Sequence, residues 1–244
     1  MKKIAFIPAR YAASRFPGKL LQTIAGKSII RMVYENALQT NLFDEVVVVT
    51  DSDLIFKEII SHGGIAKMSK SDHNSGSDRI AEVAADMDVD VIVNIQGDEP
   101  FVEKEPLAAL VNAFQDSSVG VASLMKKINN GEEIKNPNIV KVVCNKKNEA
   151  LYFSRSPIPY FRNTSSAQPV YKHIGVYAFR KNMLLQFTTW EAGKIENTEM
   201  LEQLRYLENG IPIKMIETNT TSIGIDTPED LELAKKLYEE RLKK

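Results

Sequence analysis

Three short segments carry residue types suited to phosphate chemistry. The first, Pro8-Ala9-Arg10-Tyr11-Ala12-Ala13-Ser14-Arg15-Phe16-Pro17-Gly18-Lys19, sets two arginines and a lysine among small residues. Arginine forks grip phosphate bidentately and lysine supplies a compact charge. Small residues let backbone N–H groups approach phosphate oxygens. The second segment, Gln96-Gly97-Asp98-Glu99-Pro100, offers Asp98 after a strongly apolar run, and the third, Gly224-Ile225-Asp226-Thr227-Pro228, offers Asp226 just ahead of a helix start. Magnesium keeps several waters and takes one or two carboxylates plus substrate phosphates, which suits Asp98 and Asp226 if they face the basic loop. Singly, these segments have ordinary structural readings: a solvated loop, a turn, a helix cap. Jointly they are much more specific. Gly26-Lys27-Ser28 imitates the end of a P-loop, but that motif would need its first glycine at Leu21, so a turn and helix start is expected there.

The elements that must position these segments alternate along the chain. Residues 3–8, 45–50, 65–68 and 89–95 read as strands, the first as a continuous apolar run buried on both faces. Between them, Ile29, Ile30, Val33, Tyr34, Ala37 and Leu38, then Leu54, Ile55, Ile59 and Ile60, then Ile80, Val83, Ala84 and Met87 recur at helical spacing. This alternation predicts a mostly parallel α/β sheet, in which ligands bind beyond the carboxyl ends of strands. The basic loop follows the first strand and Asp98 follows the strongest one. The middle differs: 119–125, 139–144, 150–154 and 173–180 read as strands without long intervening helices, with a hairpin turn at 145–148 and a polar loop at 162–168. That predicts an antiparallel addition or small lobe. A helix over about 198–207, a strand near 211–216 and a last helix from Thr227 complete the chain, with Thr227 as N-cap, Pro228 at N1 and Asp230 at N3.

Composition excludes several classes. The 244 residues carry 31 Lys+Arg against 32 Asp+Glu, a formal net charge of −1, which is a poor basis for general nucleic-acid binding. With 43% hydrophobic and 26% charged residues, the chain has the make-up of a folded globular protein. A single cysteine, Cys144, points to a reducing compartment. No secretory signal and no membrane-length apolar run is present, so a cytoplasmic, membrane-free protein is expected. Asn163-Thr164-Ser165 and Asn219-Thr220-Thr221 fit the glycosylation pattern but read as chance without such a signal. His62 is expected as a helix-end cation, His73 as a loop residue in a substrate contact or at the surface, and Cys144 as an inert buried thiol.

PARYAASRFPGK, DHNSGSDR, VNIQGDEP, ALYFSRSPIPY, KHIGVYAFR, EMLEQLR and GIDTPEDLE occur in this order over nearly the whole chain. Together they resemble the 3-deoxy-manno-octulosonate (Kdo) cytidylyltransferases, the CMP-Kdo synthetases of Gram-negative lipopolysaccharide synthesis. The resemblance implies a Rossmann-like nucleotide-diphospho-sugar transferase fold: one nucleotidyltransferase domain over residues 1–244, with a dimerisation and sugar-binding lobe at about 145–190 and a homodimeric assembly. It implies CTP and Kdo as substrates and Mg2+ as cofactor. Arg10, Arg15 and Lys19 match the triphosphate-binding signature, and Asp98 and Asp226 match the metal-binding carboxylates. Lys19, Arg10, Asp98 and Asp226 are then the catalytic set. Ser75, Gly76 and Arg79 match a segment beside the cytosine, and Asp98 also belongs to the CTP site. Gln96, His173, Tyr177, Glu202 and Gln203 fall in segments that line the sugar pocket. Ser14, Ser77 and Leu20 depart mildly from the family pattern and remove no charge or metal ligand.

Glu99 and His73 favour Kdo over the alternative sugar 8-amino-3,8-dideoxy-octulosonate, whose synthetases typically carry glutamine at the first position and lack the histidine. A non-catalytic nucleotide-binding regulator would be favoured by loss of Lys19, Asp98 or Asp226, all of which are present. A glycosyltransferase with a similar metal-bearing sheet edge would instead consume a nucleotide sugar, so product identity separates it.

Overall fold

A computed structural model describes residues 1–12, 15–70, 73, 75–163, 169–220 and 224–242. Ser14, residues 164–168 of the polar loop, Thr221 and the last two lysines lie outside them. In chain order the strands and helices are β1 (Lys3–Ala9), β2 (Thr23–Ile24), β3 (Lys27–Ser28), α1 (Ile29–Gln39), β4 (Glu45–Thr50), α2 (Asp53–Ser61), β5 (Ala66–Met68), α3 (Gly76–Ala85) and β6 (Val91–Asn94). They continue with α4 (Lys104–Asn112), β7 (Val121–Lys127), α5 (Gly131–Lys135), β8 (Lys141–Cys144), β9 (Ala150–Ser154), β10 (Tyr171–Arg180) and α6 (Lys181–Phe187). The chain ends with α7 (Lys194–Glu199), α8 (Leu204–Glu208), β11 (Ile213–Glu217) and α9 (Pro228–Leu242). They form two compact units, Met1–Lys104 with Thr221–Lys244, and Glu105–Thr220.

In the first unit four strands pair in parallel in the order β5-β4-β1-β6, with Ile4 opposite Glu45 on one side and Ile92 on the other. Ile4, Phe6, Ile7, Val47, Val48, Ile92 and Val93 are fully buried, as a sheet covered on both faces demands. Ser28 caps α1 by accepting the Arg31 N–H (3.3 Å) after Gly26 at φ 80, so the P-loop look-alike is the expected turn and helix start. Each helix turns one stripe inward: Ile55 and Ile59 of α2 are buried while Leu54 and Ile60 are exposed.

In the second unit the pairing order is β11-β7-β10-β8-β9, antiparallel except for the β11–β7 pair. The turn over residues 145–148 joins β8 to β9, closed by the Asn148 N–H on the Asn145 carbonyl (3.0 Å) with Asn148 at φ 56. β10 slips register against β7 between Ile174 and Tyr177. The helix expected over about 198–207 is two helices, α7 and α8. Met200 adopts a left-handed conformation at φ 54 and ends α7, and the Glu208 carboxylate accepts the Ile195 and Glu196 N–H groups (3.0 and 3.2 Å) to fold α8 back onto α7. α4, α5 and α6 occupy stretches to which no element was assigned from sequence.

Candidate active site

The basic loop leaves β1 at Ala9 and is shaped by Gly18. At φ 70 this glycine donates its N–H to the Tyr11 carbonyl (3.0 Å), and the Tyr11 ring lies 3.3 Å from where a Cβ would stand. The turn delivers Lys19 into a single helical turn capped by Gly18. On the neighbouring strand, β6 runs into Gln96-Gly97-Asp98. A Cβ on Gly97 would lie 3.0 Å from the Pro8 carbonyl oxygen, a tight contact that glycine avoids where the two chain segments approach. The third segment docks through the Ile225 N–H on the Asp98 carbonyl (3.0 Å). Its Asp226 precedes a helix start fixed by Asp230, whose carboxylate accepts the Asp226 and Thr227 N–H groups (3.0 and 2.9 Å) while Thr227 Oγ1 accepts the Asp230 N–H (3.2 Å).

Lys19 Nζ is the centre of the site. It donates to Asp98 Oδ2 at 2.6 Å and to Asp226 Oδ1 at 2.9 Å, and Arg15 donates to the other Asp226 oxygen at 2.8 Å. Burial pulls the Lys19 pKa down, but the adjoining Asp98 and Asp226 charges outweigh it and hold the amine above its ordinary value. Burial raises the Asp226 carboxyl, and the hydrogen bond and charge of Lys19, with Arg15, bring it below the usual carboxylate range. Two carboxylates thus share one cation. Their hard oxygen donors and paired charge suit Mg2+, whose remaining ligands would come from water and phosphate. Among the described residues no cluster of three or more His, Cys, Asp or Glu side chains forms an all-protein metal cage.

A pocket of about 300 Å3 collects nine of the residues singled out from sequence: Arg10, Arg15, Lys19, Ser75, Gly76, Arg79, Gln96, Asp98 and Asp226. His73 also lines it, with Nε2 bonded to Glu82. Arg79 is nearly buried, its guanidinium held by Ser69 Oγ and by Asp51 Oδ2 (2.8 Å). It braces α3, whose cap Ser75 accepts the Asp78 N–H (3.2 Å). The bracing partners Asp51, Ser69 and Glu82 carried no sequence signal, because each lies on an ordinary strand end, loop or helix.

His173, Tyr177, Glu202 and Gln203 belong to the second unit. His173 packs edge-on against Phe153 (5.1 Å between centroids) and lies 5.3 Å from the Tyr177 ring. Burial lowers the His173 pKa to about 3, so the ring is neutral at physiological pH. Burial, then the Glu202 charge and Tyr206, push the Tyr177 phenol well above its ordinary value. Gln203 is buried at the start of α8. Two residues missed from sequence brace this unit. The fully buried Lys141 donates to the carbonyls of Asn136 (3.0 Å), Ile139 (2.6 Å) and Arg155. Arg155 donates in turn to the carbonyls of Glu199 (2.8 Å) and Met200 (3.3 Å), beside the break that leads to Glu202. The Cys144 thiol, expected to be buried, is half-buried, and desolvation raises its pKa to about 11.

The site is thus a cationic loop beyond the first strand of a parallel sheet, facing two carboxylates in one pocket. The cytidylyltransferase family model matches residues 4–217. A 3-deoxy-manno-octulosonate cytidylyltransferase of Flavobacterium johnsoniae is 56% identical, over 96% of this chain and 98% of that one. The corresponding protein of Christiangramia forsetii is 53% identical over 96% of each. The solved structure of a CMP:2-keto-3-deoxy-manno-octonic acid synthetase complexed with CTP superposes with a TM-score of 0.95 at 40% identity, covering 99% of this chain and 100% of that one. The chain belongs to the cytidylyltransferase family, among its 3-deoxy-manno-octulosonate cytidylyltransferases.

Proposed function

We propose that the protein activates Kdo for lipopolysaccharide synthesis, converting CTP and 3-deoxy-D-manno-octulosonate to CMP-Kdo and diphosphate. The 2-hydroxyl oxygen of the sugar forms a bond to the α-phosphorus of CTP as its O–H proton passes to water, the α–β phosphoanhydride bond breaks, and diphosphate leaves with the electron pair. The observation that carries this reading is the Lys19 ammonium shared by Asp98 and Asp226 in the pocket beyond β1 and β6. Such chemistry needs positioning and charge stabilisation more than covalent work by the protein. Arg10, Arg15 and Lys19 bind the triphosphate, with Lys19 meeting the charge that grows on the α-phosphate. Ser75, Gly76 and Arg79 form the cytosine side, where the α3 N-terminus adds its positive pole. Gln96, His173, Tyr177, Glu202 and Gln203 take the sugar.

Asp98 and Asp226 would hold Mg2+, which when bound supplies Lewis-acid activation of the attacking hydroxyl and neutralises phosphate charge. The homodimer, with the lobe at about 145–190 as its contact, is part of the same proposal and is read by the molecular mass in solution. A cytoplasmic location fits CTP as substrate. No described helix is long and apolar enough to cross a membrane.

The test is diphosphate release with Mg2+ and CTP, with and without Kdo, and with the 8-amino sugar in parallel. Release that requires Kdo, with CMP-Kdo formed, is the expected result. Release only with the 8-amino sugar would overturn the substrate, and silence with both sugars from a folded, CTP-binding protein would overturn the reaction.

A further inference from the structure

The register slip in β10 leaves Ser123 of β7 facing three groups at once. Its Oγ lies 2.9 Å from the Val176 carbonyl oxygen, 3.2 Å from the Ile174 carbonyl oxygen and 2.9 Å from His173 Nε2, and the serine is fully buried. A hydroxyl has one proton to give. Both carbonyls can only accept, and an oxygen–oxygen separation of 2.9 Å without a proton between would be repulsive in a dry interior. The proton therefore goes to a carbonyl, and the contact with the imidazole is attractive only if Nε2–H donates to Ser123 Oγ.

We infer that Ser123 is a positioning residue that fixes the neutral Nε2–H tautomer of His173 and presents Nδ1 as a hydrogen-bond acceptor for a sugar hydroxyl. The inference rests on the placement of His173 in the sugar subsite proposed above. Its chemical content is narrower than that placement. An acceptor nitrogen reads a hydroxyl and gives nothing to a carboxylate, so His173 does not recognise the acid group of the substrate. Phe153, edge-on to the ring, and Tyr177 beside it restrict rotation about the side chain. Burial keeps the ring neutral far below neutral pH.

Two measurements on Ser123→Ala and Ser123→Thr test it. Nitrogen-15 NMR of the histidine rings, assigned with His173→Asn, should show the Nε2–H tautomer for His173 in the wild type and in Ser123→Thr, unchanged from pH 8 to pH 5. Ser123→Ala should show a mixture of tautomers. Steady-state kinetics should show KM for Kdo raised roughly fivefold to tenfold in Ser123→Ala, the loss of one hydrogen bond. KM for CTP should be unchanged and Ser123→Thr close to wild type. An Nδ1–H tautomer in the wild type, or an unchanged KM for Kdo in Ser123→Ala, overturns the assignment. Absence of Kdo turnover in the wild type would overturn the proposed reaction instead, and the tautomer spectrum would still decide the role of Ser123.

Discussion

The pocket of the first unit and the polar cluster of the second are built on opposite electrostatic principles. Around Lys19 the side chains are ionised and matched against one another: one ammonium, two carboxylates and a guanidinium within hydrogen-bond distance. Around His173 the groups are partly buried and kept neutral, by desolvation at the imidazole and by desolvation and a nearby carboxylate at Tyr177. A triphosphate is recognised by charge, which works over distance and tolerates movement. A polyhydroxylated sugar is recognised by the direction of its hydrogen bonds, which requires fixed tautomers and rigid rings. With the triphosphate at Lys19 and the sugar at His173 as proposed above, one chain would assign different physics to its two substrates.

The largest effect that would break this contrast is at Lys19. Lys19→Met should lower kcat by about 10²–10³-fold, the loss of one preorganised charge at the reacting phosphate, with KM for Kdo nearly unchanged. Equal losses in both substrates' KM and little in kcat would mean that Lys19 only anchors the nucleotide. Asp98→Asn should unfold at a temperature close to wild type yet lose turnover to a similar extent, and near-normal activity would remove the carboxylate from the cation site.

Lys141→Met tests the second unit. Three carbonyls lose their donor, so the variant should lose about 3 kcal/mol in denaturant unfolding, and an unchanged midpoint would show that water replaces the ammonium there. The smallest effect concerns His173. Its folded pKa is depressed to about 3, against about 6.5 in the unfolded chain. Below pH 6.5 the unfolded state takes up a proton that the folded state refuses, so stability is full above that pH and falls as pH drops toward 3. Melting temperatures between pH 7.5 and pH 5 should decline less steeply in His173→Asn. Identical slopes would mean that the ring titrates normally in the fold.

Much of the first unit was legible in the sequence because its signals are local. The run from Glu45 to Thr50 is the strand β4 itself, and the loop, Asp98 and Asp226 sit at element ends where α/β sheets carry ligands. The second unit was less legible. A single helix across Met200 follows from the apolar spacing, but the Glu208 carboxylate on the Ile195 and Glu196 N–H groups reverses the chain instead. Lys141 reads as an ordinary strand lysine until the carbonyls of the preceding turn, Asn136 and Ile139, and of Arg155 past the next strand converge on it. Ser123 is hidden for the same reason. Nothing in an apolar strand says that one serine will face a register slip fifty residues away.

The Lys19 ion pairs also bear on which anions the pocket admits. An anion that comes alone must win one ammonium from two carboxylates, each already in contact with it. A nucleotide that comes with a divalent counter-ion brings those carboxylates a replacement partner. On that argument CTP should bind more tightly with Mg2+ than without it, while free phosphate alone should bind weakly, and titration calorimetry with each would read the difference.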